Sequence, residues 1–169
     1  MPEASKNIWA PWRMEYIDQL DGDEGCFLCS YATRPDDDAS NRVVWRTDRV
    51  LVVMNRFPYT GGHLLVAPLE HVPDFEDMSD ELLCALTIGV RDAQRVVKAA
   101  LRAEGFNIGL NLGRCAGAGL PGHLHWHVVP RWGGDTNFMS VIGDVRVIPE
   151  ALDRTYKRLC AAAEGVGLR

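Results

Sequence analysis

The chain has 169 residues, 47% of them apolar, with 18 Lys and Arg against 23 Asp and Glu for a formal net charge of −5. That length suits one soluble domain with a real core, and no apolar run nears the roughly 18 residues of a membrane span. The acidic balance excludes a general nucleic-acid binder, which carries a basic stripe, and the N-terminus lacks the apolar stretch of a signal peptide, so a cytoplasmic protein without a membrane partner is expected.

In chain order, residues 1–25 read as an N-terminal arm with one helical turn around Trp12–Asp18. Its Trp9, Trp12, Met14 and Tyr16 need burial against the body or a second subunit. Residues 26–169 read as a single domain. The polar stretch 32–41, ATRPDDDASN, is expected to be a loop. Val43–Arg46 and Val50–Met54 flank Thr47–Asp48–Arg49 as a hairpin would. Phe57–Gly62 reads as a turn, and His63–Ala67 as a strand stopped by Pro68.

The clearest helix is Asp80–Glu104, with Ser79 as N-cap and Gly105 as its C-terminal stop. Leu82, Leu86, Gly89, Ala93, Val97 and Ala100 recur on one face. Phe106–Leu112 alternates like a half-buried strand. Residues 113–122, GRCAGAGLPG, contain four glycines and form a tight loop. A strand follows from His123 through Pro130, and Pro149 at the first helical position opens a last helix with Leu152, Tyr156, Leu159 and Ala163 on one face. The order implies an α+β fold, with a mainly antiparallel five-stranded sheet, one long helix and one C-terminal helix.

The chain has five histidines, and three of them, His123, His125 and His127, alternate within five residues. At this histidine frequency a random chain would hold such a triplet with odds of about 0.004. On a strand the three imidazoles share one face, and Leu124, Trp126 and Val128 take the other. A solvated polar face, a shared metal ion and nucleophilic chemistry by imidazole are the readings open from the residues alone. Likewise Cys26-Phe27-Leu28-Cys29 can be a coincidence, a redox motif or half of a zinc site. Cys84, Cys115 and Cys160 fit no such pattern. His63, ahead of an apolar strand, suits hydrogen-bonding support of a pocket.

His-Leu-His-Trp-His-Val-Val, residues 123–129, resembles the motif of the histidine-triad (HIT) family. Asn55–Arg56–Phe57–Pro58 and Gly62–His63–Leu64–Leu65–Val66–Ala67–Pro68 resemble the family's upstream strand–turn–strand. The flanks Trp9–Ala10–Pro11–Trp12–Arg13–Met14 and Arg131–Trp132–Gly133–Gly134–Asp135–Thr136–Asn137–Phe138 are similar to the bacterial branch that holds diadenosine tetraphosphate phosphorylases.

This resemblance implies an enzyme that transfers or hydrolyses a nucleotidyl group at the α-phosphate of a nucleoside 5′-phosphoanhydride, a dinucleoside polyphosphate above all. The middle histidine of the family attacks phosphorus, so His125 is the implied nucleophile, and His127 the implied phosphate contact and leaving-group acid. Asn55 matches a ribose-side position, and Asn111 a phosphate contact. The family's hydroxyl residue before the triad is missing here, where Gly119-Leu120-Pro121-Gly122 stands. A purine nucleoside phosphoramidase and a non-catalytic nucleotide-binding regulatory module are the alternatives.

Some family members bind zinc through Cys-x-x-Cys, a Pro-x-x-His histidine and the first triad histidine. The same positions here are Cys26, Cys29, His71 (in Pro68-Leu69-Glu70-His71) and His123. The resemblance thus implies a structural zinc, an adenosine nucleotide as substrate, no organic cofactor, no nucleic-acid partner and a homodimer with sheets paired across a two-fold axis.

Overall fold

The computed structural model describes residues 25–135, 148 and 150–169. The expectations placed on the arm, including the turn at Trp12–Asp18, lie outside these residues, as does Pro149. Among the described residues, no helix is long and apolar enough to cross a membrane.

Five strands form one antiparallel sheet: β1 Val43–Arg46, β2 Val50–Met54, β3 Leu64–Pro68, β4 Gly105–Leu110 and β5 Trp126–Arg131, in the order β1-β2-β3-β5-β4. The α+β class and the hairpin expected from 43–54 are therefore present. Val50 to Met54 and Leu64 to Pro68 are all buried, so these central strands read as continuous apolar runs with both faces covered.

Alternation divides their side chains between two cores. Val50, Val52, Leu64, Val66 and Val128 face the helices α3 (Asp80–Leu101) and α4 (Leu152–Gly165). Leu51, Val53, Leu65 and Ala67 face the other way, where α1 (Phe27–Thr33) seals the layer with Leu28. His127 pairs directly with Leu65, so its side chain belongs to this second face, away from the long helix.

In α3, Leu82, Leu86, Gly89, Ala93 and Val97 are buried, as their spacing predicts, and Ser79 Oγ accepts the Leu82 N–H at 3.2 Å as the N-cap. Gly89 permits close approach to the sheet: a Cβ there would lie 3.1 Å from both Val50 Cγ1 and Val66 Cγ1.

Several boundaries differ from expectation. β3 starts at Leu64 and includes Pro68, the residue expected to stop it, because Pro68 still pairs with Val50; β4 runs Gly105–Leu110 and ends before Leu112, where its pairing with β5 stops at Trp126. α3 stops at Leu101, not Glu104, because Arg102 turns left-handed (φ 56°), Ala103 is buried in the core and Glu104 N–H pairs with Arg131 O at 3.0 Å. Strand pairing therefore wins over helical propagation there. Residues 32–41 are not a plain loop: α1 runs to Thr33, and a 3₁₀ turn at Pro35–Asp37 leads into the short helix α2, Asp38–Asn41. Arg46 bonds the Tyr31 and Ala32 carbonyls and the Asp38 carboxylate, which ties these turns to β1. α4 opens at Leu152 behind Ala151, later than Pro149. Finally, β5 begins at Trp126, so only His127 of the triad lies within the strand ladder.

Candidate active site and metal centre

Two side-chain clusters meet at the segment 123–127. The first is built on the turn between β2 and β3. Gly62 takes φ +84° there, and a Cβ would run into Leu101. The following residue, His63, is fully buried. Its Nδ1 accepts the Tyr59 backbone N–H at 3.2 Å and the Asn55 amide at 3.2 Å. Asn55 is itself oriented by the Phe57 N–H, which donates to its Oδ1 at 2.9 Å. With Nδ1 accepting, the His63 proton sits on Nε2 and is donated to His127 Nδ1, 3.0 Å away. His127 must then carry its own proton on Nε2. The Tyr59 ring stacks on His63 at 4.8 Å and reaches His127 at 5.9 Å.

His125 has the opposite tautomer. Its Nδ1–H donates to the His123 carbonyl at 2.9 Å, which leaves the lone pair on Nε2. The His125 and His127 rings stand edge to face, 5.0 Å apart. One bare nitrogen and one N–H are thus offered side by side.

Burial holds all three rings neutral. Desolvation first, then the neighbouring His127 and His125, pushes His63 down to about 3; desolvation and then His125 push His127 down to about 4. His125 is also lowered, by burial, against the opposing effect of the His123 carbonyl. At neutral pH the site therefore offers uncharged imidazoles, the form in which a nitrogen is nucleophilic.

The second cluster joins α1 to the end of β3. Cys26 sits at the N-cap of α1 and Cys29 in its first turn, a spacing of three that turns both thiols to one side. Cys26 Sγ lies 3.1 Å and Cys29 Sγ 3.5 Å from His123 Nδ1, and Cys29 Sγ lies 3.2 Å from His71 Nδ1. All four ligand atoms fall within 4.8 Å of one another. His123 Nε2–H donates to the Pro68 carbonyl at 2.9 Å, so Nδ1 presents its lone pair to the thiols. Burial pushes the Cys26 thiol up to about 11. Two sulfurs and two imidazole nitrogens around one point fit a tetrahedral divalent ion, whose ligand atoms stand about 3.4–3.8 Å apart. Such an ion would also draw off the thiol protons.

The two remaining sequence candidates differ in placement. Asn55 is brought into the cluster, but its amide is spent on His63 and Phe57. Asn111 donates to Gly117 O at 3.4 Å and so staples the glycine loop. Tyr59 and the Pro68 carbonyl escaped sequence reading. An aromatic side chain in the turn just ahead of His63 was the available signal for Tyr59; a carbonyl leaves none.

An antiparallel sheet with His127 on its β5 and His125 just ahead of that strand as a complementary pair, beside a Cys₂His₂ cluster, defines a class of protein. The HIT domain model matches residues 37–134, and the chain belongs to the HIT family. Among its relatives, an "AP-4-A phosphorylase" of Mycobacterium tuberculosis is 40% identical over 162 residues, covering 92% of this chain and 83% of the relative. A "Bis(5'-nucleosyl)-tetraphosphatase [asymmetrical]" of Schizosaccharomyces pombe is 35% identical over 91 residues, 54% of this chain and 50% of that one. The crystal structure of a "ZN-bound histidine triad family protein" from Mycobacterium smegmatis superposes with a TM-score of 0.69 at 28% identity, covering 86% of this chain and 97% of that chain.

Proposed function

We propose that the protein cleaves dinucleoside polyphosphates, diadenosine tetraphosphate first among them, through a covalent nucleotidyl-His125 intermediate. The observation that carries this reading is the fixed tautomer of His125, with Nδ1–H on the His123 carbonyl and the lone pair on Nε2. Nε2 attacks the α-phosphorus in line, a P–N bond forms and the P–O bond to the remaining polyphosphate breaks. His127 Nε2–H, backed by His63, donates to the departing phosphate oxygen. A second acceptor then attacks phosphorus, the P–N bond breaks, and the nucleotide leaves. Covalent catalysis thereby divides one displacement into two easier ones.

Inorganic phosphate is the acceptor we favour, on the strength of the relative named AP-4-A phosphorylase. Water is the second reading, favoured by the tetraphosphatase. Incubation with diadenosine tetraphosphate decides. ADP plus ATP formed only with added phosphate supports phosphorolysis, and AMP plus ATP without phosphate supports hydrolysis. Failure to turn over this or any other nucleotide would sink both and favour a binding module. Preference for a P–N substrate would favour a phosphoramidase. Asn111 and His127 are our candidates for phosphate contact, and Asn55 for the ribose side.

We assign zinc to Cys26, Cys29, His71 and His123; the bound zinc would tether α1 to the sheet. Support comes from the donor set and from the zinc of the M. smegmatis neighbour. Residues 26–169 are taken as one domain, in which α4 and the final residues pack on α3 and β1. The homodimer is assigned to the edge of β4, which has no further strand beside it among the described residues and where Ile108 is 40% exposed.

A further inference from the structure

We propose that the Cys26–Cys29–His71–His123 site positions the nucleophile, in addition to tethering α1. This rests on the reading of His125 as nucleophile. The link is one peptide group, His123–Leu124. Its N–H donates to the Val72 carbonyl at 2.8 Å, and its C=O accepts the His125 Nδ1–H at 2.9 Å. Because a peptide is planar, fixing the N–H fixes the direction of the C=O. Both partners of that N–H bond are next in the chain to a metal ligand: Val72 follows His71, and Leu124 follows His123. An ion that joins His71 to His123 therefore sets the distance between the two strands of chain that make this bond. The His123 side chain is held as well, with Nδ1 toward the thiols and Nε2–H on Pro68 O at 2.9 Å.

Besides the ion, the His71 and His123 side chains are joined by weak contacts alone, through Cys29 at 3.2 and 3.5 Å and edge to face between their rings at 5.1 Å. His71 is exposed, so without the ion it can swing into solvent. The Val72–Leu124 bond then loosens and the His123 carbonyl rotates. His125 then loses the acceptor that keeps its proton on Nδ1. His123 and Val72 act as positioning residues: neither is assigned a contact with substrate.

The test uses uniformly ¹⁵N-labelled full-length protein, zinc-loaded and then stripped with a chelator, alongside the Cys29→Ala variant. In the zinc-loaded protein the His125 ring nitrogens give two well-separated shifts, those of the Nδ1–H tautomer. On stripping, the shifts move toward each other as tautomers mix, and kcat for diadenosine tetraphosphate falls about 10- to 100-fold with KM within about twofold. Zinc added back restores both. A stripped protein that keeps its far-UV circular dichroism, its separated His125 shifts and its kcat overturns the proposal. Where stripping unfolds the chain, cadmium replaces zinc: its longer bonds to sulfur are expected to displace the His125 shifts, and unchanged shifts overturn the proposal. Should no nucleotide be turned over, the function reading fails alone, because the ring shifts still report whether metal orients His125.

Discussion

His63 Nε2 and His127 Nδ1 are 3.0 Å apart, and two donors on the far nitrogen of His63 fix which of the two gives the proton. A residue 64 positions upstream thereby decides what His127 presents to a substrate. Replacing His63 with Ala removes the donor and frees His127 to adopt either tautomer. Loss of a supporting partner of this kind costs about 10- to 100-fold in activity, and His63→Gln, which keeps an N–H, is expected to recover part of it. Steady-state kinetics on the three proteins check this, with KM expected to stay near the parent value.

His125→Ala is expected to abolish the adduct. Turnover should fall by at least about 10⁴-fold, as for loss of a nucleophile, while nucleotide binding persists. Intact-protein mass spectrometry after rapid acid quench measures the nucleotidyl adduct, and calorimetry the binding. A variant that still turns over at the parent rate removes His125 from the mechanism.

Acid should destabilise the fold through the same rings. The folded-state values of His63, about 3, and His127, about 4, lie below the unfolded value of 6.5. The unfolded chain therefore binds protons first as pH falls. Stability is complete above the unfolded value and declines from there toward pH 3. Urea unfolding at about pH 7 and about pH 5 should show the decline, and His63→Gln should shrink it. An equal decline in the variant would assign the effect elsewhere.

These predictions draw on features that the sequence displayed unevenly. The alternation of His123, His125 and His127 was visible because histidine is scarce and the period is two. The hairpin 43–54 was visible because two apolar runs flank the polar Thr47–Asp48–Arg49, and the face of α3 because its apolar spacing keeps one helical period. The tautomers were not visible, since they depend on backbone groups such as Tyr59 N–H and the carbonyls of His123 and Pro68, which every residue possesses. The end of α3 was misplaced because Arg102, Ala103 and Glu104 suit a helix locally. Burial of Ala103 and pairing of Glu104 with Arg131 are long-range. α1 was hidden because seven residues with aromatics carry little periodic signal, and a Cys-x-x-Cys reads the same on a loop as on a helix.

Gly62→Ala tests the turn that delivers His63. The left-handed backbone costs a non-glycine residue about 1–2 kcal/mol, and the added Cβ also displaces Leu101. Urea unfolding should register the loss, and activity should drop with it because His63 is the next residue. Gly89→Leu forces α3 off Val50 and Val66 and is expected to cost about 1–3 kcal/mol with little effect on KM.

Ile108→Lys addresses the assembly. A charge on the exposed edge of β4 is a common barrier to strand pairing, so sedimentation should show a dimer for the parent and a monomer for the variant. A dimer in both would move the interface off this edge.

The opposite border of the sheet gives that experiment a wider meaning. On β1, the Val43 carbonyl is taken by the Tyr156 hydroxyl at 2.9 Å and the Val44 carbonyl by the Arg169 guanidinium at 2.9 Å. Side chains from the C-terminal helix and the last residue thus fill acceptor positions that an incoming strand would need. Among the described residues the β1 border is filled in this way and the β4 border is not. Two copies joined along β4 by a two-fold axis would each cover the border the other presents, so such a pairing would close on itself and not run on into a fibre.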